Sequence, residues 1–257
     1  MKRNVKNLIG YTMGATDGEI GKVKEFYFDD HTWTIRYLVV ETGNWLNERK
    51  VLISPQALLK PVWEGKVFPV NLTKEQIKNS PNVDTEQPVS RQQEILLNDY
   101  YPWTSYWGGG LWSGGMGTSG MMMETHEPIE VALNKKKIIA DEETAGEPNL
   151  RSTHKVNGYG IHAADGNIGD VEDFIFEDTS WKIDFMVVDT GHWFPGKKVL
   201  ISPKMIKEIN WETSEVIVNN SVEYIKNSPE YFPVQILSED YTINLHDYYG
   251  RMVSHKQ

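Results

Sequence analysis

The chain has 257 residues, no cysteine and a formal net charge of −10, with 24% charged and 39% hydrophobic side chains. An acidic chain without a basic stripe argues against a nucleic-acid binder, because phosphates repel it before contact. The lack of cysteine excludes disulfides and cysteine-based zinc sites, and it fits a cytoplasmic protein. No apolar run approaches the roughly 20 residues that a membrane-spanning helix needs. The first residues, Met1 to Gly14, have basic side chains but no apolar block behind them, so no secretory signal is expected.

The first organised stretch opens with Leu8-Ile9-Gly10-Tyr11 and reaches Asp17-Gly18, where glycine suits the positive φ of a tight hairpin turn. Ile20 to Phe28 reads as a strand whose apolar positions change parity between Val23 and the pair Phe26 and Phe28. That change predicts a β-bulge near Lys24-Glu25. Trp33 to Glu41 is the next strand, with Trp33, Ile35, Tyr37 and Val39 read onto one face. The other face starts polar at Thr34 and Arg36 and turns apolar at Leu38 and Val40, which predicts cover on both sides at that end. Lys50-Val51-Leu52-Ile53 is a further strand ended by Ser54-Pro55. Leu58 to Trp63 and Val67 to Val70 form a closing hairpin about Glu64-Gly65. Thr73 to Gln76 has capping-box spacing for a short helix ending before Pro81.

The pattern returns 148 positions later without a gap: Asp17 to Pro55 matches Asp165 to Pro203, and Asp99-Tyr100-Tyr101 matches Asp247-Tyr248-Tyr249. Roughly half of positions 10 to 81 are identical to their partners, the mark of a long-period duplication. Between the copies, Tyr100 to Met123 has no charged residue and sets three Trp, three Tyr and four Met among glycines. Glycine at that density predicts a flexible loop. The expected division is therefore a first domain over 1–99 with a short C-terminal helix and tail, a linker over 100–150 and a second domain over 151–250.

These repeated residues resemble the PRC-barrel family, named for the cytoplasmic part of the photosynthetic reaction centre H subunit. The same barrel forms the C-terminal domain of a ribosome-maturation factor. The resemblance rests on Asp17-Gly18-Glu19-Ile20-Gly21-Lys22-Val23, Tyr37-Leu38-Val39-Val40 and Val51-Leu52-Ile53-Ser54-Pro55, with their partners at the same offset. It implies an all-β chain with minor short helices: two tandem small β-barrels joined by a Gly/Trp/Met-rich linker. It also implies a scaffold that binds other macromolecules, since the family has no shared catalytic residues to carry over.

The motifs point the same way. Asp189-Thr190-Gly191 imitates an aspartic-protease triplet, but its partner is Glu41-Thr42-Gly43 and both fall where the repeat needs a strand end. His154, His162 and Asp165 match no metal-site spacing, and Gly108-Gly109-Gly110 lacks the Lys-Ser/Thr of a phosphate loop. No catalytic residue, metal or cofactor is expected. Trp103, Trp107 and Trp112 are candidates for docking a partner or a membrane interface, with folding back onto a barrel as the alternative. Arg36 faces Asp184 in the repeat comparison, one of three sign reversals with Lys22/Asp170 and Lys24/Glu172. Arg36, Leu38, Val40, Asp184, Met186 and Val188 are therefore candidates for a contact between two barrels about a pseudo-two-fold axis. The leading expectation is a non-enzymatic cytoplasmic adaptor whose protein partner is unknown and whose two barrels pair intramolecularly. The others are a peripheral membrane accessory protein that touches the membrane surface through the linker, and a small-molecule enzyme.

Overall fold

The alternation of apolar residues yields two sheets in the computed structural model, which describes residues 1–81, 89, 91–101, 103–106, 150–191, 197–233 and 239–250. The first copy supplies β1 (Lys2–Asn4), β2 (Thr12–Ala15), β3 (Gly18–Asp29), β4 (Thr34–Thr42), β5 (Lys50–Ile53) and β6 (Val67–Pro69). The second supplies β7 (Leu150–Ser152), β8 (Gly160–Ala163), β9 (Gly166–Glu177), β10 (Ile183–Asp189), β11 (Lys198–Ile201), β12 (Ile206–Asn210) and β13 (Glu215–Val218). Five α-helices accompany them among the described residues: α1 (Lys74–Lys78), α2 (Arg91–Tyr100), α3 (Thr153–Val156), α4 (Val222–Lys226) and α5 (Glu239–Gly250). The fold is mostly β, as expected. No helix among the described residues is long and apolar enough to cross a membrane.

The first sheet runs β5-β4-β3-β2-β6 and the second β11-β10-β9-β8-β13-β12. Neither closes on itself among the described residues, which corrects the expectation of two separate closed barrels. The reason lies in the long central strands. β2 pairs with β3 only from Gly18 to Lys22, so the far end of that 12-residue strand keeps a free edge. An unpaired edge has to be covered, and each copy covers the other's. The arm β1 lies antiparallel on β9, with Arg3 opposite Phe176, while β7 lies on β3 with Arg151 opposite Phe28. The two exchanges are related by the same offset of 148 that relates the sequences.

A second junction sits on the pseudo-two-fold axis, where Thr34 bridges Lys182. Ile35 N–H donates to Trp181 O at 2.8 Å and Ile183 N–H to Trp33 O at 2.7 Å. Both tryptophans hold a left-handed backbone, φ 54° and 58°, unusual for a bulky residue. Their carbonyls are thereby held against the opposite sheet. The rings fill the junction from each side, Trp33 on Phe28 and Trp181 on Phe176 and Phe68, and Phe28 meets Phe174 at 5.4 Å. One hydrophobic core therefore runs through both copies.

The bulge read from the parity change is present: the register skips Lys24 in β3 and Glu172 in β9. A second bulge skips Arg36 in β4 and Asp184 in β10. It splits the face assigned to Trp33, Ile35, Tyr37 and Val39. Ile35, Leu38 and Val40 lie opposite Phe28, Phe26 and Val23, whereas Tyr37 lies opposite Tyr27 and Val39 opposite Glu25. In the second copy this outer face, Ile175, Phe185, Val187 and Leu200, packs under Tyr231 and Leu245 of α5. Gly21 and Gly169 allow β3 and β9 to approach the ends of β4 and β10. A Cβ at either would lie 1.9 Å from the carbonyl oxygen of Glu41 or Asp189.

The helices dock through tyrosines. Tyr249 donates its hydroxyl to Leu200 O at 2.6 Å, and Tyr224 and Tyr248 exchange hydroxyl bonds with each other's carbonyls. Burial pushes the Tyr101 hydroxyl up to about 12 and raises those of Tyr241 and Tyr249 further. A raised folded-state value means that the unfolded chain releases these protons first. Their contribution is full below the ordinary tyrosine value near pH ~10 and lost as pH rises through the folded values. Stability is therefore expected to fall from about pH 10 upward. Tyrosinate absorbance should then show a fraction that titrates only as the protein unfolds; complete titration of a still-folded protein would contradict this.

Candidate interaction site at the junction

The exchanged arms are held by a charged clasp that occurs twice. Arg3 Nε donates to Asp178 at 2.7 Å, and its guanidinium lies 3.4 Å over the Trp63 ring. At the related place Arg151 Nε donates to Asp30 at 2.9 Å and lies 3.8 Å over Trp211. Each arginine thus grips an acid of the opposite copy while stacked on a tryptophan of its own. The side chains of Arg3 and Asp178 are 21% and 11% exposed, so solvent screens the pair only partly. Arg3→Ala is expected to lower stability by ~1–3 kcal/mol, from a charge-assisted bond and a cation–π contact. A double-mutant cycle with Asp178→Ala in denaturant unfolding measures the coupling. Strict additivity would show that the clasp does not operate.

Deeper in the joint, Asp173 is 5% exposed. It accepts from Asn4 Nδ2 at 2.9 Å, Lys6 N at 3.0 Å and its own Phe174 N at 2.8 Å. Burial nevertheless raises its carboxyl above the usual range, outweighing those bonds. Tyr231 donates to Asn4 Oδ1 at 2.9 Å, which ties the second copy's tail to the first copy's arm. On the other side Ser152 bonds the Glu25 carboxylate, and its hydroxyl also caps α3.

The residues singled out from the repeat comparison lie as follows. Leu38, Val40, Met186 and Val188 are fully buried in the shared core. Arg36 and Asp184 each take another partner. Asp184 is paired with Lys2 of the exchanged arm, whereas the position related to Lys2 is the uncharged Leu150. Arg36 instead donates to Thr32 Oγ1 at 2.9 Å, stands 3.8 Å from Asp29 and lies over the Tyr106 ring. Trp103 stacks on Tyr101 with ring centres 4.1 Å apart and meets Tyr37 at 6.4 Å. Trp107 and Trp112 lie outside the described residues. Sequence reasoning missed the clasp, although Arg3/Arg151 and Asp30/Asp178 keep both identity and sign across the copies.

Beside the junction lies a groove of about 500 Å³, bounded by the start of β4, the turn Ser54 to Pro61, Tyr106 and the turn Asp178 to Trp181 of the second copy. Leu59 on its rim and neighbouring Val62 are 50% and 53% exposed. Among the described residues no group of His, Asp and Glu is arranged to hold a metal ion.

Residues 3–77 match the family model described as the PRC-barrel domain. No curated protein matches the chain. The matched span includes Arg3 and Asn4 of β1 but none of β7, so it reaches one arm of the exchange.

Proposed function

Starting from a chain whose residues 3–77 are a PRC-barrel domain, we propose that the protein is a non-enzymatic adaptor, a tandem PRC-barrel scaffold that binds other proteins in the cytoplasm. The observation that carries this reading is the junction groove, with exposed apolar Leu59 and Val62 beside it on an interlocked two-sheet frame. Exposed apolar side chains next to a preformed concavity favour partner binding. The second copy has Lys207 and Asn210 in place of Leu59 and Val62, so the feature belongs to one side of a nearly symmetric pair.

Affinity purification of the tagged full chain from its own cells, with and without membranes, tests the reading. A defined protein complex that is lost on Leu59→Glu with Val62→Glu supports it. Recovery unaffected by these changes would refute the use of this groove. A lipid-dependent recovery would favour a peripheral membrane accessory protein instead, a reading motivated by the uncharged aromatic and Met run from Tyr100 to Met123.

A further inference from the structure

We propose that the junction groove is a binding site for a carboxylate carried on an aromatic or apolar body. Four buried side-chain donors among the described residues lack hydrogen-bond partners, Arg36 Nε, Asn98 Nδ2, Arg49 Nε and the Tyr101 hydroxyl, and the first two belong to residues that line this one groove. Buried polar groups are nearly always satisfied, so two orphans at one concavity need an explanation, and a ligand acceptor supplies it. The groove also carries exposed Lys60, while the chain as a whole is strongly acidic.

The acids nearby are already engaged. Asp178 is bound by the N-terminal ammonium and Arg3. Asp29 accepts from His31 N and Thr32 N at 2.9 Å, and its other oxygen stands a long 3.8 Å from Arg36. Glu94 accepts the Tyr106 hydroxyl at 2.6 Å. Lys60 and the Nε donor of Arg36, whose other polar contacts are Thr32 and the long approach to Asp29, are thus placed to meet a ligand, and a guanidinium matches a carboxylate.

The duplication gives an independent argument. Arg36 and Lys60 correspond to Asp184 and Glu208, so both cations of this groove are acids in the other copy. Asp184 is neutralised there by Lys2, whereas the position related to Lys2 is the uncharged Leu150, so the first copy has no counterpart of that ion pair. Random drift of surface charge does not explain why a cation reversed in sign between the copies, held only by a long 3.8 Å contact with Asp29, also has an orphaned donor in this groove. Tyr106 and Trp181 offer flat walls, and about 500 Å³ suits one ring with its acid group.

The carboxylate could belong to a free small acid or to the C-terminus of a protein, and only the second source rests on the adaptor reading. The test titrates N-acetylphenylalanine, its uncharged amide and an acetylated Gly-Ser-Gly-Phe peptide into the full chain. The readout is the Arg36 Nε–H resonance together with calorimetry. The acid should shift that resonance and bind at least about tenfold more tightly than the amide. Lys60→Glu should remove most of that preference without lowering the melting temperature, because Lys60 is exposed. Arg36→Gln should abolish it. Equal binding of acid and amide, or no shift up to about 10 mM acid, would overturn the proposal. Peptide and free acid binding alike would mean a small-acid site, and a much tighter peptide would mean a protein terminus. In either case, partner recovery from cells decides the adaptor reading separately.

Discussion

A polypeptide of residues 150–257 alone is expected to lose cooperative folding as a monomer. Without the first copy, β9 loses the arm that pairs with Ile175 to Glu177, and β7 has no β3 to lie on. Phe174 loses Phe28, Trp181 loses Phe68, and Ile183 N–H loses its acceptor at Trp33. Exposure of several large side chains at ~1.5–3 kcal/mol each is comparable to the whole stability of a domain. Such a fragment can rebuild the junction only by pairing with itself. Arg151 would then find Asp178 of a second copy, but Leu150 would meet Asp184 where Lys2 belongs. Circular dichroism and light scattering read the outcome. A cooperatively folded monomer would contradict the expectation.

The second large effect is expected from Phe28→Ala. Phe28 is fully buried, stacks on Trp33, meets Phe174 across the junction and pairs in register with Arg151 of β7. Truncating a buried aromatic of this kind costs ~3–5 kcal/mol, from lost transfer energy and the cavity left behind. Because the cavity opens into both sheets, the two copies should weaken together. Denaturant unfolding followed by hydrogen exchange should show β9 amides losing protection in step with those of β3. Loss confined to the first copy would show that the core is divided.

Local features of this architecture were legible in the sequence because each is set by residues close together in the chain. Asp17-Gly18 made its turn, Thr73 and Gln76 formed the capping box, and the shift from Val23 to Phe26 marked the bulge at Lys24. The second bulge was hidden, because Ile35, Tyr37 and Val39 continue an unbroken alternation and only the pairing with β3 shows that Arg36 is skipped. The arm exchange was hidden for a different reason. Three-residue β1 has no apolar pattern of its own, and its partner, from Ile175 to Glu177, lies far along the chain. The comparison of charges between copies drew attention to Arg36 and Asp184. The partner of Asp184 is Lys2, whose place beside it follows from the exchange, whereas Arg36 turns to Thr32, Asp29 and Tyr106. The groove depends in turn on both copies and was not visible from either alone.

The two copies form one interlocked body, a union that can be probed by cutting the connection between them. A specific protease site introduced between Met123 and Glu124 of the full chain, cleaved after folding, leaves the arms and the junction intact. The two pieces are expected to stay together through gel filtration and to unfold in one transition. Pieces that separate under native conditions, or that melt in two independent steps, would contradict it.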